Sequence, residues 1–273
     1  MSVEDEAVGT VPKWLVGLWH RRSMEEFSAN GQIERDVTTQ VFWLQTPSGF
    51  ADIRVPANRD CFKGKQCVGF DDLTAQQAIA LSQQDGFAGI THSDGIHCEW
   101  HHSMDYRPFN GEVDAGTLSW KAGEEGKVLV EMGPNNAYRE EWVWMGGGPT
   151  AMMTLTEGAD QTGWFVVCGD YFMYMRDRRE RLPMSNSLTR LLEQDDRADY
   201  ARYLDCEISF GRCQQGAKPW EITLSTLPWR EGQSLLAASD LCMDTQRQQV
   251  TQSTEAEPLV WTVQEWGAMA DLF

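Results

Sequence analysis

Short runs of β-branched and aromatic residues, bounded by Gly, Pro, Asn or Asp, recur along the whole chain and predict strands. They cover 38–45, 50–55, 96–104, 117–122, 127–132 and 139–145, then 151–156, 164–176, 206–212, 220–227 and 259–266. Helical spacing is confined to two places. The first, Asp71 to Asp85, carries Leu73, Ile79 and Leu81 after an Asp-rich start and ends at Gly86. The second begins at Ser185 or Ser187 and repeats Leu188, Leu191, Leu192, Tyr200, Tyr203 and Leu204 up to residue 204. Many short strands with turn signals between them predict antiparallel barrels or sandwiches, not an α/β fold.

The order of these pieces suggests an internal repeat. Phe50-Ala-Asp-Ile-Arg54 leads to an Arg-containing loop, a helix and a strand with Trp100; Phe172-Met-Tyr-Met-Arg176 leads to an Arg-rich loop, a helix and a strand with Trp220. Between the halves lies Gly146-Gly147-Gly148-Pro149, a run that cannot continue a regular element cheaply. The expected organisation is a flexible acidic N-terminus at 1–12, a first domain at 13–146 and a second at 150–273. The polar stretch Asp244 to Pro258 reads as a mobile loop before the last strand.

Composition narrows the classes of function. The 273 residues carry 23 basic against 41 acidic side chains, a formal charge of -18 that repels nucleic-acid backbones and anionic lipid. The start of the chain lacks a basic-then-apolar leader, and no stretch approaches the ~18 apolar residues of a membrane helix, so a cytoplasmic protein is expected. Seven scattered cysteines without a CxxC pair predict neither a disulfide framework nor structural zinc. Twelve tryptophans, spread from Trp14 to Trp266, suit a β-rich interior.

Gly17-Leu18-Trp19 resembles the glycine-x-tryptophan signature of lipocalin-like (calycin) barrels. The stretch from Val41 to Pro56 is similar to the second and third strands of a group of two-barrel, lipocalin-like proteins that includes a fungal interactor of a casein kinase. The resemblance implies a mainly β chain of two tandem antiparallel lipocalin-like barrels, each with one helix at its mouth. It also implies that the tryptophan closes one barrel end beneath a stacked arginine, for which Arg139 is the candidate. The second half departs from the signature, offering Gly163-Trp164 in its place. The family carries no catalytic residues to transfer.

Candidate chemistry lies in the first half. All five histidines precede residue 103, and His92, His97, His101 and His102 fall close together. On a regular strand Ile96, Cys98, Trp100, His102 and Met104 share the apolar face, so Trp100 and His102 point inward and Glu99 outward. His97 and His101 would stand ~13 Å apart, too far to share a metal without a bulge. In β-register, Phe50, Asp52 and Arg54 share one face; if it is interior it forms a polar floor for a carboxylate or carbonyl group, and if exterior a weak surface ion pair. Arg21 and Arg22 carry the same ambiguity. Nucleophile elbows, phosphate loops, dinucleotide fingerprints and zinc-protease helices are missing from the sequence, and no cofactor is expected.

Three readings follow. The first is a binding module holding a small, largely apolar molecule, possibly bearing a carboxylate or carbonyl, against Trp43, Trp100, Trp120 and Trp142, with Arg54 and Arg21 as polar anchors. The second is a cofactor-independent lyase, isomerase or cyclase in the same cavity, with His102 as general acid or base, Arg54 stabilising charge, and Asp52 or Tyr106 orienting or relaying. The third is an interaction scaffold with filled barrels, whose acidic surface would meet a protein partner or a second copy. An open cavity holding both His102 and Arg54 favours the enzyme, an apolar cavity the carrier, and a filled barrel the scaffold.

Overall fold

Alternation along each strand decides which side chains face each barrel's interior, so the strand circuit comes first. A computed structural model describes residues 11–62, 67–157, 160–195, 199–214, 218–254 and 257–267. The flexible start expected at 1–12 falls outside it except for Val11 and Pro12, and Val11 is buried against the first domain.

The first sheet contains β1 (Gly17–Phe27), β2 (Ile33–Asp36), β3 (Gln40–Gln45), β4 (Phe50–Val55), β5 (Asp85–Ser93), β6 (His97–Asp105), β7 (Asp114–Trp120), β8 (Val128–Met132) and β9 (Tyr138–Gly146). All pairs are antiparallel, and β9 returns to β1, closing an eight-stranded barrel from which β2 extends as a side hairpin. Closure leaves the eight barrel strands paired on both sides, and β2 is the edge. The strand starts at Gly17 itself, where a Cβ would lie 2.5 Å from the Trp144 indole nitrogen; the glycine lets β1 cross β9 closely.

The second sheet contains β10 (Thr150–Glu157), β11 (Asp160–Cys168), β12 (Tyr171–Arg176), β13 (Glu207–Arg212), β14 (Glu221–Ser225), β15 (Leu241–Asp244), β16 (Gln249–Gln252) and β17 (Leu259–Glu265). Its order, β14-β13-β12-β11-β10-β17-β16-β15, is that of the first barrel cut between the counterparts of β6 and β7. Among the described residues no ladder joins β14 to β15. Instead β14 and its neighbour Trp220 bond the segment 232–235, through Ile222 N–H to Gln233 and Leu235 N–H to Trp220. The run 164–176, expected as one strand, is two, turned at Gly169. The expected mobile loop 244–258 contains β16, and its residues 255–256 lie outside the described ones.

Helix α1 (Ala75–Ser82) starts at a capping box between Thr74 and Gln77, shorter than the expected 71–85. Gly86, read as its stop, lies in β5. The second expected helix is two, α2 (Leu188–Glu193), capped by Ser187, and α3 (Tyr200–Leu204). None of the three lines the mouth of the first barrel. They pack into the seam between the sheets, where Ala78, Leu81, Leu188, Leu192 and Leu204 join the outward faces of both. In that seam Ala51, Ile53 and Val55 of β4 share one cluster with Met173 and Met175 of β12, which leaves the alternate residues of both strands facing their own interiors.

Candidate functional site

Each interior has a different content. The second is mainly aromatic and aliphatic, with Phe165, Phe172, Trp220, Ile222, Val250 and Trp261 buried together, and carries a polar end at Arg176, Glu207 and Ser209. The first has an indole floor and a charged upper half. Trp19 is fully buried with its indole N–H on the Leu15 carbonyl at 2.8 Å, and it stacks near Trp43 and Trp120. Trp14 covers this end through Trp120. Arg139, expected to stack on Trp19, instead pairs with Glu25 and Glu141. The two rows that place Arg139 opposite Glu25 are set by the β1–β9 register, far along the strand from Trp19.

Above the floor lies a half-open cavity of about 950 Å³ lined by Trp43, Trp100 and Trp142 below and by Asp52, Arg54, His102, Glu131 and Glu140 on its walls. Its mouth is formed by residues 107–115, 134–138 and 185–186. The β4 alternation resolves as the interior option: Asp52 is 2% exposed, and Arg54 Nε donates to its Oδ1 at 2.8 Å. Burial pushes the Asp52 carboxyl up to about 6, against the pull of Arg54. The Arg54 guanidinium also lies 4.8 Å from the Phe87 ring centre.

His102 is held by a bulge. The β5–β6 register shifts between Ala88 and Gly89, so Met104 turns outward into the seam while Trp100 and His102 remain inside. The five-residue apolar face read from sequence therefore breaks at both ends, with Ile96 exposed ahead of the strand and Met104 turned outward after His102. At Gly89 a Cβ would sit 1.9 Å from the His101 carbonyl oxygen, so only glycine allows this approach. Nδ1 of His102 donates to Asp105 at 2.6 Å and Nε2 to Asp114 at 3.1 Å, while the ring stacks on Phe87 at 4.0 Å. Burial lowers its pKa, but the two carboxylates outweigh burial and raise it to about 9. The imidazolium is the form that satisfies both partners.

Glu131 and Glu140 were not singled out from the sequence. Glu131, 4% exposed, accepts from Tyr138 Oη at 2.9 Å and Trp142 Nε1 at 3.1 Å, and burial with Glu140 and Asp114 nearby raises its pKa well above the usual range. Glu140 pairs with Arg21 at 2.6 Å, and Arg21 reaches Asp36 at 2.7 Å. Arg21 is thus interior, behind the cavity wall, and Arg22 faces out to Glu124 and Glu141. The signal was available: Leu129 and Glu131, like Trp142 and Glu140, alternate onto one face.

Two expected residues stand elsewhere. Tyr106 is buried in the seam, its hydroxyl donating to the Leu81 carbonyl at 2.8 Å, and does not line the cavity. Trp120 belongs to the closed end. Of the other histidines, His97 bonds Asp94, His101 bonds Glu99 and His92 stacks on His101. Among the described residues no group of three His, Cys, Asp or Glu side chains is placed to hold a metal ion, and no helix is long and apolar enough to cross a membrane.

No family model matches the chain, and no curated protein matches it. A crystal structure of an uncharacterized protein, YLR301w, from Saccharomyces cerevisiae is similar over 91% of this chain and 97% of that one, with a TM-score of 0.51 and 13% identity. At that identity the likeness is one of fold.

Proposed function

We propose that this chain is a small-molecule binding protein whose site is the interior of the first barrel. The observation that carries the reading is the cavity of about 950 Å³, within the size range of ligand sites, with an indole floor and a polar wall already paired. Preset pairs cost a ligand little reorganisation. The kinship with two-barrel, lipocalin-like proteins belongs to the same proposal, supported by one strand circuit used twice and by Trp19 at the closed end. A cytoplasmic setting fits the free cysteines Cys98, Cys168, Cys206 and Cys213, all buried.

The enzyme reading has one observation in its favour, since His102 and Arg54 both line an open cavity. Geometry weighs against the assigned roles. A general base needs a free ring nitrogen, whereas both nitrogens of His102 are occupied and its raised pKa keeps the proton on at neutral pH. Catalysis would fall to Asp52, whose carboxyl at about 6 is paired with Arg54.

The test is thermal unfolding of wild type and Phe87→Trp against a metabolite library. Phe87 lines the cavity on the inward face, opposite Asp52, so the larger ring fills space without removing a hydrogen-bond partner. A ligand at 100 times its Kd should raise the wild-type Tm by about 5 °C and leave Phe87→Trp unmoved. No shift with any compound, or equal shifts in both proteins, sinks the reading.

A further inference from the structure

The charge on the cavity wall is lopsided. Seven carboxylates line it against two arginines and two histidines, and the cations are already engaged. Arg54 is bonded to Asp52, Arg107 to Asp85 and to the Gln83 and Gln84 carbonyls, and His102 to Asp105 and Asp114. A carboxylate ligand would meet no unpaired positive charge and would have to displace a carboxylate already bonded. An anionic ligand, allowed by the Phe50-to-Arg54 alternation alone, is therefore disfavoured by the wall as built.

Glu131 is the exception among the buried acids. Its partners, Tyr138 and Trp142, are neutral donors; Glu140, also buried, has Arg21. A carboxylate has about four acceptor positions, and Glu131 uses two. The indole of Trp142 bonds Glu131, and Trp43 lies within 5.7 Å of Trp142 and 5.6 Å of Trp100, edge to face in both cases. A carboxyl without a counter-ion above indoles is the chemistry that recognises an organic ammonium group. The cavity is long enough for a hydrocarbon body as well.

We propose that the first barrel binds an organic ammonium compound, its charged nitrogen seated against Glu131 and its hydrocarbon body against Trp43, Trp100 and Trp142. This rests on the cavity being a binding site. The ligand supplies the charge that Glu131 lacks, and Glu131 gives up a proton as it does so. Binding is then linked to proton release and strengthens as pH rises.

Calorimetric titration with three probes of nearly equal size decides it: 2-phenylethylamine, 2-phenylethanol and 3-phenylpropionate, each against wild type and Glu131→Gln. The amine should bind wild type about 10-fold more tightly than the alcohol, with no measurable binding of the carboxylate, and Glu131→Gln should erase most of that preference. Repeating the amine titration of wild type in buffers of different ionisation enthalpy should report release of a proton, a readout that needs no variant should Glu131→Gln unfold. Equal or tighter binding of the alcohol or the carboxylate overturns the inference while leaving a binding site. Proton uptake, or no exchange, overturns it too. If none of the three binds at millimolar concentration the ammonium inference falls, and the library screen with Phe87→Trp decides the binding reading separately.

Discussion

The closed barrel and the second sheet share one strand order and differ in what fills their interiors. On β4 the inward residues are Phe50, Asp52 and Arg54; on β12 they are Phe172, Tyr174 and Arg176. The decisive difference is at the middle position. Tyr174 reaches across to Trp261 at 6.0 Å and Phe165 at 6.4 Å and helps fill the second interior. The shorter Asp52 fills nothing, and it turns along the strand to Arg54. The second copy is filled by its aromatics and, among the described residues, leaves its circuit uncoupled between β14 and β15; the first closes and encloses space. Closure fixes the walls of a site, whereas a solid core does not need it.

The contrast can be broken most forcefully at the matched phenylalanines. Phe172→Ala should cost about 4 kcal/mol and Phe50→Ala about 3 kcal/mol, because both rings are fully buried but the space left at Phe50 adjoins the cavity and can take up water. Chemical denaturation of both variants checks this, and equal losses would mean the first interior is packed as tightly as the second. Next in size is the buried ion pair. Arg21→Met strands Glu140, 2% exposed, and should cost about 3 kcal/mol, while adding Glu140→Gln should restore more than half of the loss. A double variant as unstable as the single would show that Arg21 acts through packing.

The smallest expected effect is on pH. The His102 pKa is raised on folding from 6.5 to about 9, so the stability it adds is full below pH 6.5 and is lost as pH rises through 9. Given the solvent that reaches its ring, the loss should be about 2 kcal/mol. His102→Gln should flatten that slope in denaturation curves taken from pH 6 to 10. Asp52, raised from 3.8 to about 6, acts with the same sign in its own window and should erode stability as pH climbs from about 4 to 6. A wild-type curve that is flat from pH 6 to 10 would show that the Asp105 and Asp114 clamp does not hold His102 charged.

Much of this architecture was legible because period-two alternation is a local signal. It placed Asp52 and Arg54 on one face and found most strands. It missed β1, β2, β5, β15 and β16; of these β5 has an Asp85-Gly86 start that imitates the end of a helix and small residues Gly86, Ala88 and Gly89 that carry little strand propensity. It failed at Met104 because a bulge inverts faces without leaving a mark other than Gly89 in the partner strand. Glu131 and Glu140 were overlooked by attention to histidine and arginine, although a carboxylate in step with Leu129 or Trp142 obeys the same rule that exposed Asp52. Tyr106 could not be placed locally at all, since its partners Leu81 and Gln84 are brought to it by α1 and the seam.

The most direct measurement is a crystal structure of the protein soaked with a fragment mixture of cations, neutral molecules and anions. The account predicts ordered density in the first barrel, between Glu131 and the indoles of Trp43, Trp100 and Trp142, and none inside the second. Density within the second barrel, or a first barrel closed by its own side chains and empty of any fragment, would contradict it.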